Sequence, residues 1–137
     1  MTTEEKQLLL QDLCGRIPYN VKFNLFDNTY TLSGIQPFTT DLGFWNYGVT
    51  SKESGKLREI DDIKLYLRKM SSMTSEEKEE FNKIYYKTQG SIVNSVLNDG
   101  YSLAFTELTD WLNAHHFDYR GLIEKGLAIE APKDMYN

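Results

Sequence analysis

The apolar positions of this chain change period along its length, and the changes divide it into elements. Leu10, Leu13, Cys14 and Ile17 recur at spacings of three and four. Leu9 widens that stripe, and Glu5, Lys6, Gln11 and Asp12 fall largely outside it. The pattern predicts an amphipathic helix from about Thr3 to Cys14. Thr2 with Glu5 three residues later has the form of a capping box, Gly15 is the expected stop, and Pro18 prevents resumption. Cys14, on the stripe, reads as a small buried hydrophobe rather than a nucleophile.

From Val21 the period shortens to two. Val21, Phe23 and Leu25 share one face, as do Tyr30 and Leu32. Between these runs lie Asp27 and Asn28, residue types that tolerate positive φ and suit a tight hairpin. Gly34 and Pro37 break the pattern. Phe44 to Val49 is a second β-prone run, and Lys56 to Ile60 can return as its partner, giving three or four antiparallel strands between residues 20 and 61.

Asp61 to Arg68 places Ile63, Tyr66 and Leu67 at helical spacing and predicts one or two turns, followed by a linker from Lys69 to Met73. Thr74 and Glu77 repeat the capping box before a helix from Ser75 to Tyr86, whose thin stripe of Phe81, Ile84 and Tyr85 suits a surface position. Between Thr88 and Gly100 a helical stripe (Ile92, Val93, Val96, Leu97) competes with the turn signal Asn98-Asp99-Gly100, and Tyr101 to Phe105 reads as strand or irregular structure. Thr106 can cap a short helix from Glu107 to His116, and Leu127 to Ile129 alternates as a closing strand. The expected fold is α+β, one domain over residues 1–137. A small antiparallel sheet of three to five strands packs with the first and last helices, and the middle helix lies on the surface.

Composition adds a functional slant. Nine Tyr, seven Phe and two Trp raise the aromatic share to 13%, and tyrosine, with a large apolar ring and a hydroxyl that needs a partner, suits half-buried contact surfaces. Fifteen basic against twenty acidic residues leave a net charge of −5 with no run of Lys or Arg, the wrong sign for affinity built on neutralising phosphates. The single cysteine fits a reducing compartment, and no apolar run is long enough for a signal peptide or a membrane span, so a cytoplasmic protein is expected.

The richest chemistry lies between Trp111 and Arg120. His115 and His116 invite a metal reading, but adjacent helical residues diverge by about 100° and no further ligands complete a shell. Neither a metal nor a cofactor is expected. One histidine is expected to pack under Trp111 or Phe117, and the other to cap the helix end as an imidazolium. Asp118, Tyr119 and Arg120 read as a network tying an irregular segment to the body, so Trp111, His115, His116, Asp118, Tyr119 and Arg120 together form a structural clasp. Among Phe38, Phe44, Trp45 and Tyr47, core filling is the first reading and an exposed contact surface the second. The candidate binding residues are Phe44, Trp45, Tyr47 and Arg58. There is no phosphate-binding Gly-rich loop or nucleophile elbow.

Three segments, LCGRIPYNV at Leu13 to Val21, IDDIKLYLRKMSSMTSEEK at Ile60 to Lys78 and HHFDYRGLIEKGLAIEAPKDMYN at His115 to Asn137, resemble small proteins of gut Bacteroidetes genomes and their phages and mobile elements. The resemblance brings no activity, cofactor or catalytic residue. It implies a cytoplasmic, mobile-element setting. The expected function is that of a non-catalytic binding protein, a phage or mobile-element factor that engages or inhibits a host protein. The alternative is a binder of a small nucleotide or nucleic acid through the aromatic surface. A small hydrolase using the His, Asp and Arg cluster is third.

Overall fold

The computed structural model describes residues 1–90 and 100–136, with side chains described through residue 86 and again from residue 106. Its elements in chain order are α1 (Thr3–Arg16), a 3-10 turn (Ile17–Tyr19), β1 (Lys22–Leu25), β2 (Asn28–Thr39), β3 (Trp45–Ser51) and β4 (Arg58–Glu59). After a 3-10 turn at Ile60–Asp62 follow β5 (Lys64–Leu67), a 3-10 turn at Met70–Ser72, α2 (Ser75–Gly90), α3 (Gly100–Ala114) and β6 (Ala128–Glu130). The fold is α+β. Among the described residues its sheet has six strands, not three to five, in the order β4-β3-β2-β1-β5-β6. It is mixed rather than antiparallel, because β5 and β6 run parallel.

α1 begins on the expected capping box: Glu5 N–H donates to Thr2 Oγ1 at 3.0 Å and Thr2 N–H to Glu5 Oε1 at 2.9 Å. Its buried face, however, is Leu9, Asp12, Leu13 and Arg16, and Cys14 is exposed. Burial of an ion pair rotates the stripe toward Asp12 and away from Cys14. Gly15 does not end the helix. A Cβ there would meet Asn113 Nδ2 at 2.9 Å, so the glycine serves the close approach of α1 to α3. The chain is turned by Asn20 instead, at φ 58°.

The first hairpin is displaced by one residue from the expected turn. Leu25 pairs with Asn28, and Phe26 and Asp27 are the central residues, both at positive φ as a two-residue turn of this hand requires. β2 runs through Gly34 and Pro37 without stopping. Its register shifts between Leu32 and Gly34, a bulge that lets the strand bend between its two partners, β1 and β3. The ladder beyond is set by Thr40 N–H donating to Phe44 O. Alternation from that bond makes Pro37 and Tyr47 a non-hydrogen-bonded pair, so proline's missing N–H costs no ladder bond there.

The largest correction falls at Asp61–Arg68. Beyond the 3-10 turn this segment is not helical but is the strand β5, lying between β1 and β6. Ile63, Leu65 and Leu67 are buried and Tyr66 faces the other way, a period of two. These residues join Leu9 and Leu13 of α1, Val21, Phe23, Leu32, Val49 and Leu122 in the main core. The linker expected at Lys69–Met73 contains the 3-10 turn at Met70–Ser72, and the last helix, expected to be short, is 15 residues long. It takes in Tyr101–Phe105, which are helical rather than strand or irregular; residues 91–99 of the ambiguous stretch lie outside the described residues. α3 packs against α2 and α1 and reaches the sheet through Phe117, which bridges in parallel to Arg68. Among the described residues no helix is long and apolar enough to cross a membrane.

Candidate functional site

Two places carry more chemistry than the fold requires. The first is the hairpin between β2 and β3. Thr40 and Phe44 close a three-residue loop: besides the ladder bond of 2.7 Å, Gly43 N–H donates to Thr40 O at 2.8 Å and Phe44 N–H to Thr40 Oγ1 at 3.1 Å. Gly43 at φ +85° supplies the left-handed position such loops need. This bonded tip holds Leu42, Phe44 and Trp45 out at 83%, 69% and 63% exposure. Core filling is therefore the wrong reading for Phe44 and Trp45. Phe38 and Tyr47 are half-buried, and Tyr47 packs on the core. Strand pairing puts Trp45, Tyr47, Val49 and Arg58 on one face, because alternate residues of β3 share a face and Val49 is opposite Arg58. Three of the four sequence-derived binding residues thus share a face, and Phe44 adjoins them at the tip. Trp45 and Tyr47 meet edge to face, centroids 4.6 Å apart at 73°, so they offer no pair of parallel ring faces to a base.

The second place is where α3 ends. Trp111 stacks on His115 at 4.2 Å and on Phe117 at 5.8 Å, and its Nε1 donates to Glu80 Oε2 at 3.0 Å. His115 Nδ1 lies 2.9 Å from Trp111 O. Asp118 spends both oxygens on backbone N–H groups, those of Leu122 at 2.8 Å and Ile123 at 3.0 Å. Tyr119 donates to Asn113 Oδ1 at 2.9 Å, with the guanidinium groups of Arg16 and Arg120 at 5.3 and 5.2 Å from its ring. Arg120 Nε is 3.3 Å from Asp12 Oδ1. Among the described residues no group of three His, Cys, Asp or Glu is placed to hold a metal ion.

The residues that the sequence did not single out organise this region. Asp12 and Arg16, both fully buried, form a bidentate pair at 2.7 and 3.1 Å, and Arg16 Nη2 also donates to Phe117 O at 2.6 Å. Arg68 lies over the Phe117 ring at 4.3 Å and grips Glu77 with two bonds of 2.7 Å. That grip, reinforced by Thr74 N–H and working against partial burial, lowers the Glu77 pKa to about 2. Near the C-terminus, Tyr136 accepts from Lys22 N–H at 2.9 Å, donates to Tyr66 O at 2.7 Å, and stacks on His116 with centroids 3.7 Å apart. Burial raises the Tyr136 pKa to about 12.

Of the two histidines, His115 is the one that packs on Trp111, and His116 is not the imidazolium cap expected of the other. His116 sits at φ 63°, is buried, and its pKa is lowered to about 4, first by burial and then by the nearby cations, Arg16 and Arg68 foremost. The Asp12–Arg16 pair had a sequence signal, opposite charges four residues apart on one helix. Tyr136 had none.

Comparison of the chain with protein-family models, curated proteins and solved structures finds no match.

Proposed function

We propose that the chain is a non-catalytic binding protein whose docking element is the hairpin tip formed by Leu42, Phe44 and Trp45. The observation that supports this reading is the combination of three large exposed apolar side chains with a loop held by three hydrogen bonds. A rigid, aromatic-rich protrusion loses little conformational freedom on docking, and aromatic anchors carry much of the energy of protein interfaces. The net charge of −5 favours a protein over a polyanion. The setting proposed is the cytoplasm of a host bacterium, where the chain, as a phage or mobile-element factor, engages or inhibits a host protein. The partner would supply an apolar recess for Trp45 and Phe44.

The experiment is a comparison of wild type with Phe44→Ser/Trp45→Ala in capture from a Bacteroidetes lysate, with thermal melts of both. A specific partner lost by the variant at unchanged melting temperature supports the reading. Identical captured sets from both proteins oppose it.

The nucleotide alternative draws on the common face of Trp45, Tyr47 and Arg58, but the edge-to-face pair does not favour stacking. The hydrolase reading needs a free carboxylate beside the histidines, and Asp118 is engaged by backbone.

A further inference from the structure

Four segments of the chain converge: the end of β5, the start of α2, the end of α3 and the C-terminal tail. They enclose two adjoining clefts, of roughly 370 and 210 Å³, which share Arg68, Thr74 and Tyr136 as walls. The larger volume falls within the range of small-molecule sites. Lys69 and Lys133 line the larger cleft, and Glu77 and His116 the smaller.

Three features give this space a preference. Its walls carry three cations, Arg68, Lys69 and Lys133, against two carboxylates, Glu77 and Glu130. Glu77 is committed to Arg68 and Thr74 N–H, whereas Glu130 meets Lys69 at 3.4 Å with both side chains more than half exposed, a contact an incoming anion can displace. Thr74 Oγ1 accepts from Glu77 N–H, which leaves its own proton free to donate. The His116 ring, mostly buried, forms part of the wall of the smaller cleft.

We infer that the double cleft is a binding site for a small oxyanion, a phosphate monoester or a carboxylate, held by Lys69, Lys133 and Thr74 with the His116 ring at its inner wall. The site is separate from the hairpin tip and stands or falls independently of it. Besides its burial, Arg16 from α1, Lys22 from β1 and Arg68 from the end of β5 depress His116 and put the imidazole in a positive potential, with His115 beside it. Glu77 and Tyr136 are the remaining titratable groups on its walls. An anion beside the ring favours its charged form and raises its pKa.

The test uses the full chain, isotope-labelled, titrated with inorganic phosphate and in a parallel arm with acetate, chloride holding ionic strength constant. Saturable shifts are expected at the Thr74 amide and the His116 imidazole, with the His116 pKa rising when phosphate is bound. Lys69→Ala/Lys133→Ala, both at exposed positions, is expected to weaken the phosphate midpoint about tenfold at unchanged melting temperature. Acetate acting in place of phosphate upholds the oxyanion site and assigns it to carboxylates. A His116 ring indifferent to both anions, or a double variant with the wild-type midpoint, overturns the inference.

Discussion

Arg68 and Glu77 are joined by two hydrogen bonds of 2.7 Å, which fasten the residue after β5 to the first turn of α2. Arg68 N–H also donates to His116 O, and Asp118 N–H donates to Arg68 O. One arginine thus gathers a strand end, a helix start and the segment that follows α3. Glu77→Gln is expected to lower stability by about 1.5–3 kcal/mol at pH 7, the range for a hydrogen bond to a charged group, read as a drop in melting temperature.

The pH dependence follows from the same pair. With its folded pKa lowered from 4.5 to about 2, Glu77 contributes stability that is fully present above pH 5 and is lost as pH falls through 4.5 toward 2. Melting temperature should fall over that window, and less steeply in Glu77→Gln than in wild type. Equal slopes would show that other carboxylates dominate.

Asp12→Ala leaves Arg16 charged, fully buried and stripped of its carboxylate partner, with the Phe117 carbonyl remaining. Breaking a buried pair from one side costs about 3–5 kcal/mol, so chemical denaturation should find this variant among the least stable of the set. Asp12 and Arg16 to a matched apolar pair should recover much of the loss.

Tyr136→Phe removes one hydroxyl and with it both the acceptor for Lys22 N–H and the donor to Tyr66 O. A loss of about 1–3 kcal/mol is expected, with faster hydrogen exchange at the Lys22 amide. Exchange unchanged at Lys22 would contradict the anchoring role of the tail.

How far the sequence displays this fold depends on whether a pattern is local. Both capping boxes, Thr2 with Glu5 and Thr74 with Glu77, are local and occur where the residues place them. The segment Ile63–Leu67 is ambiguous because Ile63, Leu65 and Leu67 satisfy a strand while Ile63, Tyr66 and Leu67 satisfy a helix, and only the neighbours β1 and β6 decide. Pro37 misleads because its cost depends on which way its nitrogen points in a ladder. Asp12 misleads because charge marks a residue as solvated unless its partner is buried with it. At the sites, the aromatic cluster at Phe44 and Trp45 is visible in sequence, but its exposure is set by the loop closure at Thr40. The cleft around His116 is not visible, since Arg68, Thr74 and Tyr136 meet only in three dimensions.

The central functional claim is that the hairpin tip is a docking surface and not part of the folded core. Leu42, Phe44 and Trp45 are exposed, so replacing Phe44 and Trp45 should change stability by no more than about 0.5 kcal/mol. The direct measurement is quantitative capture from host lysate, with a thermal melt of each protein, by wild type, Phe44→Ser/Trp45→Ala, and Lys69→Ala/Lys133→Ala as a control away from the hairpin. The account predicts a partner held by wild type and the lysine variant and lost by the hairpin variant. Equal capture by all three, or unfolding of the hairpin variant, would contradict it.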